Sequence, residues 1–139
     1  MIHSGWAYIT LIILVFAVFN AFKGLLGKKE FEDKDLRISL FTLIVAHIQL
    51  ILGFIAYFMS SQFAFLRENG MGVSMKDAGV RLIAVEHPLM MILAIVLITM
   101  GFSKHKKKTT DAAKFKTIAI FYGVALLFVL SKIPWSQWF

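Results

Sequence analysis

Residues Ile38–Ser60 read ISLFTLIVAHIQLILGFIAYFMS, 23 positions without one Asp, Glu, Lys or Arg. A helix crossing the hydrocarbon of a bilayer needs about 20 predominantly apolar residues, at roughly 1.5 Å of rise each. This stretch meets that requirement. Three more apolar blocks with few internal charges flank it, Trp6–Phe22, Leu82–Phe102 and Thr117–Ile133. The whole chain has 139 residues, 59% hydrophobic and 17% charged, where a soluble domain carries about a quarter charged residues. The four blocks use up the chain. The expectation is an all-α fold, one integral membrane four-helix bundle spanning residues 1–139, with no room for a soluble catalytic module.

Positive charge orients the bundle. The first connection holds Lys23, Lys28, Lys29, Lys34 and Arg37, and the third holds Lys104, Lys106, Lys107, Lys108, Lys114 and Lys116. Only Arg67, Lys76, Arg81 and Lys132 fall on the other side. Basic loops stay in the cytoplasm, while acids such as Glu30, Glu32, Asp33 and Asp35 count for little. Both termini and the Ser61–Val80 connection are therefore expected on the outer side. Trp6, Tyr8, Trp135, Trp138 and Phe139 would form an aromatic belt there. The first block has no basic residues before it and lysines after it, so it reads as a retained anchor and not a cleaved signal. The net charge of +7 is that of topogenic lysines between spans, with contact to anionic lipid as a further use. It is not the pattern of a nucleic-acid-reading helix.

The Ser61–Val80 connection reads as irregular, with turns at Asn69-Gly70 and Gly72. Ser74 and Asp77 resemble a capping box, which starts the third spanning helix near Met75. Stripes of small and weakly polar residues mark the faces that pack. They are His3, Ala7, Thr10, Leu14, Ala17, Ala21 and Gly24 on the first helix, and Thr42, Ala46, Gln49, Gly53, Ala56 and Ser60 on the second. On the third they are Ala84, His87, Met91, Ala94, Ile98 and Gly101. His47 projects about 140° from its helix's stripe, on a face with Leu40, Leu43, Ile51, Phe54 and Phe58. That face lines a hydrophobic cofactor pocket or meets another helix or subunit.

Ionisable side chains inside a membrane are functional candidates, here His47, Glu86 and His87. Imidazole is an axial ligand of b-type haem, and a four-helix bundle can hold the flat macrocycle. The absence of cysteine excludes disulfides, thiolate-held clusters and covalent c-type haem, but not a noncovalent b haem. Counted from the outer boundary, His47 lies roughly 20 Å deep and His87 roughly 8 Å. His3, just above His87 on the inward stripe of the first helix, competes as its partner, and Met90 or Met91 offers a thioether. The alternative is that neutral histidines hydrogen-bond between helices. Pro88 cannot donate to the carbonyl of Ala84, so the helix should loosen one turn before His87. Glu86 needs a partner, and Lys132 and Arg81 lie at similar depth; Arg81 could equally hold a haem propionate. Gln49 and Asn20 read as interhelical hydrogen bonders. No nucleophile triad, zinc motif, phosphate loop or pair of catalytic carboxylates occurs, so hydrolytic chemistry is disfavoured.

The segments Ala46-His47-Ile48-Gln49-Leu50-Ile51-Leu52-Gly53 and Glu86-His87-Pro88-Leu89-Met90-Met91, with four spans and the basic Ser103-Lys104-His105-Lys106, resemble the small four-helix "cytochrome B"-type membrane proteins of Bacteroidetes-like bacteria. More distantly the chain looks like half of a haem A synthase. The Glu-x-x-His-Arg signature of those synthases is missing, since Glu86 directly precedes His87 and Pro88 comes next. The resemblance implies haem-linked redox work in a bacterial inner membrane, with His47 and His87 at the ligand positions. Haem b is the implied cofactor, with quinone as a second. An electron carrier is expected rather than a stand-alone enzyme, working with other redox subunits or as a homo-oligomer. The rival expectation is a non-catalytic accessory subunit of a larger respiratory or transport complex.

Overall fold

The computed structural model describes residues 2–133, and every regular element among them is helical. Helix α1 runs Ile2–Leu26, α2 Asp33–Phe58, α3 Ser61–Ser74, α4 Ala78–His105 and α5 Asp111–Lys132. All but α3 are long and apolar enough to cross a membrane. Their bounds extend past the apolar blocks on several sides, because helix propagates through the flanking polar turn once it has been nucleated. Consecutive spanning helices pack side by side, and α1 closes the ring against α5. The chain therefore runs up and down four times, with the two lysine-rich connections at one end and residues 2 and 133 at the other.

The packing stripes fall where their spacing places them. Leu14, Ala17, Ala21 and Gly24 of α1 are buried, as are Thr42 and Ala46 of α2 and Ala84, Ala94, Ile98 and Gly101 of α4. Between apolar helices in lipid there is little hydrophobic gain, so close van der Waals contact must hold the bundle. Two glycines make that contact possible. A Cβ on Gly101 would stand 2.5 Å from Cβ of Phe121, and one on Gly24 would enter the ring of Phe115. Tyr122 of α5 is fully buried at the centre, and its hydroxyl donates to the Ser39 carbonyl of α2 at 2.8 Å.

Two expectations for the second connection need correction. It is not irregular: α3 occupies Ser61–Ser74, capped by Ser60 Oγ, which accepts from the Phe63 N–H. Gly70, at φ 84°, kinks it where a turn was expected. Nor does Ser74 start the next helix, since its hydroxyl donates to the Gly70 carbonyl and closes α3. The cap of α4 is Asp77, whose carboxylate accepts from Gly79 and Val80 N–H. An acidic side chain suits that terminus because four N–H groups there lack helical partners. Trp6 turns its indole N–H inward to the Val45 carbonyl at 3.0 Å. Trp135, Trp138 and Phe139 lie outside the described residues.

Candidate functional site

The polar groups at the lysine-poor end of the bundle organise around a break in α4. Pro88 has no N–H, so the helical partner of the Ala84 carbonyl is lost. The backbone responds with a π-helical turn over Leu82–Glu86, in which His87 N–H reaches back to Leu82. The Ala84 carbonyl, on a residue 4% exposed, is taken up by the hydroxyl of Tyr57 in α2 at 2.7 Å. Tyr57 thus completes a site whose ionisable members alone stood out in the sequence. Its spacing from Ala46 and Gly53, eleven and four residues, was the available signal, for it puts Tyr57 on the packing face of α2.

A π turn inserts one residue and re-aims the side chains after it. Here it presents Glu86 and His87 on neighbouring directions. Glu86 sits between Arg81 Nε at 3.4 Å and Lys132 Nζ at 3.5 Å, all three side chains about one-third exposed. Both expected partners are thus present. Arg81 also donates through Nη1 to the Met75 carbonyl at 2.9 Å, which ties the α3–α4 connection to the ion cluster. Two cations around one carboxylate leave this corner with one surplus positive charge.

His87 points into the bundle. Its Nδ1 lies 2.9 Å from the carbonyl of Lys132, the last residue of α5. A carbonyl only accepts, so Nδ1 carries the proton and Nε2 keeps its lone pair. The ring across from it is His3, at a centroid separation of 6.4 Å with the planes 78° apart. Gln49 of α2 fixes His3, its Nε2 donating to His3 Nδ1 at 2.9 Å and to the His3 carbonyl at 3.1 Å. The amide oxygen of Gln49 is a buried atom without a hydrogen-bond partner among the described residues. Gly53 gives the imidazole room: a Cβ there would come 3.2 Å from His3 Cε1.

His47 is not part of this group. It lies on the exposed face of α2 with Leu40, Ile51, Phe54 and Phe58, and its Nδ1 donates to the Leu43 carbonyl one turn back at 2.8 Å. The structure brings together His3, His87, Glu86, Arg81, Lys132 and Gln49, and leaves His47 on the bundle surface. Met90 and Met91 are half-buried on α4.

At the opposite end, Asp35 is buried at the start of α2. Its carboxylate accepts from Asn20 Nδ2 at 2.8 Å and from the Glu32 N–H at 2.9 Å, the reciprocal contact of a capping box. Asn20 is thereby the interhelical hydrogen bonder its position implied. His105, also buried, donates from Nδ1 to the Phe102 carbonyl and lies against Phe31 and Phe102. No signal in the sequence singled out Asp35 or His105, because both stand beside charged connections. Comparison with family models, curated proteins and solved structures found no match.

Proposed function

We propose that this chain is a b-type haem-binding protein of a bacterial inner membrane that carries electrons, with its two basic connections in the cytoplasm and the His3–His87 pair in the outer half of the bilayer. The observation that carries this reading is the facing of those two imidazoles. The rings stand 6.4 Å apart, centroid to centroid, and each would offer an imidazole nitrogen to the haem iron.

The residues around the pair fit such a group. His87 fits as it stands, since its carbonyl bond leaves Nε2 free to ligate, the second-sphere arrangement that raises an imidazole's basicity. His3 would ligate through Nε2 with its proton on Nδ1, at the cost of the bonds that Gln49 Nε2 now donates to His3 Nδ1 and to the His3 carbonyl. Gly53 is the small residue beside the ring that lets it shift. Arg81 and Lys132 offer their surplus positive charge to haem carboxylates. When bound, the haem would supply a one-electron couple. Glu86, between Arg81 and Lys132, would lie near it and tune that couple. The resemblance to small membrane cytochromes supports the reading, with one change: His3 takes the second ligand position and His47 does not.

The test is the dithionite-reduced minus oxidised spectrum of detergent-purified protein made with ample haem. Sharp b-type bands at about one haem per chain are expected. His87→Ala should abolish them and His3→Ala should convert them to a high-spin form, while His47→Ala leaves them in place. A flat spectrum from folded protein refutes the reading and favours the accessory-subunit alternative.

A further inference from the structure

Beyond the histidine pair, the lysine-rich end of the bundle holds a cavity of about 290 Å³. Its floor is the buried Asp35 carboxylate and its partner Asn20. Its walls include Lys23 at the last turn of α1, Lys29 and Glu30 in the α1–α2 connection, and the ring of Phe115. Phe115 is pressed against Gly24, which leaves no side chain on that side of α1. The cavity sits where α1 and α2 pass from apolar to charged sequence, the level at which lipid headgroups lie.

Its charge has a specific character. Lys23, Lys29 and Lys34 line it together with Glu30, Glu32 and Asp35, three cations with three carboxylates. Of these, Lys34 faces Glu32 at 3.9 Å, and Asp35 retains acceptor capacity beyond its two hydrogen bonds. A simple anion would gain from the lysines and lose to the acids. A bare metal cation would meet the opposite conflict. The complementary ligand carries both signs on one short group, a phosphate for Lys23 and Lys29 and an ammonium for Asp35 and Glu30.

We propose that this cavity binds the headgroup of an aminophospholipid, phosphatidylethanolamine, from the surrounding leaflet. The primary ammonium can donate three hydrogen bonds to the carboxylates, whereas the trimethylammonium of phosphatidylcholine donates none. Phosphatidylglycerol has the phosphate but no cation to oppose Asp35. The lipid's chains then run along the exposed apolar face of α1, where Phe19 and Phe22 lie. Independently of any haem, this site would hold the α1–α2 connection against α5.

Native mass spectrometry of the full chain in detergent, with phosphatidylethanolamine, phosphatidylcholine and phosphatidylglycerol of matched chains at equal concentration, tests the assignment. One charge-assisted hydrogen bond to the headgroup is worth about a tenfold change in affinity. Phosphatidylethanolamine should therefore be retained about tenfold over either competitor. The double variant Lys23→Gln, Lys29→Gln, which changes only exposed side chains, should lower the retention of phosphatidylethanolamine about tenfold or more. Asp35→Asn should erase the preference for phosphatidylethanolamine over phosphatidylcholine. Soluble phosphoethanolamine should not be retained, because it lacks the chains that keep the group at the bundle. Equal retention of the three lipids, unchanged retention and preference in both variants, or retention of phosphoethanolamine in place of the lipid would each overturn the proposal.

Discussion

Removing one oxygen from the protein should reveal how the break in α4 is held. In Tyr57→Phe the Ala84 carbonyl loses the hydroxyl that donates to it, and Pro88 has already deprived it of the N–H four residues on. An unsatisfied buried carbonyl costs about 1–3 kcal/mol in general. In membrane bundles the measured loss per interhelical hydrogen bond averages only about 0.6 kcal/mol, with a maximum near 1.7. Ala84 is 4% exposed. The expected loss is therefore about 1 kcal/mol, toward the upper part of the membrane range.

The second half of the cycle isolates the cause. Pro88→Ala restores an N–H four residues after Ala84, and that donor can take over the carbonyl. In this background Tyr57→Phe should cost less than about 0.5 kcal/mol, giving a coupling of about 0.5 kcal/mol or more. Reversible unfolding in mixed bicelles, followed by the loss of helical signal, measures all four corners. If Tyr57→Phe costs the same with and without the proline, the hydroxyl bond is refuted as the source of stability, and Tyr57 stabilises by packing on Phe58 and Phe63.

Gly24→Ala inserts a methyl into the ring of Phe115. Overpacking of this kind costs about 1–3 kcal/mol, to be read from the same unfolding assay, whereas Gly5→Ala meets nothing within 4 Å among the described residues and should be neutral. Glu86→Gln leaves Arg81 and Lys132 facing each other without the carboxylate between them. Because all three side chains are about one-third exposed, solvent screens much of the repulsion, and the loss should stay near or below about 1 kcal/mol. It should shrink as salt is raised, as thermal unfolding at low and high ionic strength will report.

The spans and their packing faces were legible because a bilayer imposes a length and helices impose a period. The small residues at Ala17, Ala46, Ala94 and Gly101 follow that period into the core. The opening before His87 was legible for a different reason: Pro88 removes a known donor from a known carbonyl. The group that answers the carbonyl was not legible, since Tyr57 comes from another helix and depends on how α2 is rotated against α4. His47 shows the same limit. Its angle away from the small stripe was evident, but whether that face met a cofactor, a helix or lipid depends on the order of helices around the ring. The α3 helix was missed because its two glycines read as turns, while Ser60 supplies a cap strong enough to start it and Gly70 breaks it without ending it.

The tautomers of the histidines separate two states of the pair. His47, His87 and His105 each donate from Nδ1 to a backbone carbonyl. His3 differs, because Gln49 donates to its Nδ1, which puts its proton on Nε2. If the two histidines hold haem as proposed, His3 ligates through Nε2 only with its proton on Nδ1, and Gln49 must then give up the bond it donates there. Gln49→Glu removes that donor, since a carboxylate can only accept and forces the proton of His3 onto Nδ1. The variant should be less stable than the parent when purified without haem. When haem is present it should retain haem longer, by several-fold in the rate of transfer to an apoprotein acceptor, because a carboxylate partner strengthens an imidazole ligand. Faster haem loss from Gln49→Glu than from the parent would mean that His3 does not ligate, and would leave the pair as a hydrogen-bonding contact between helices.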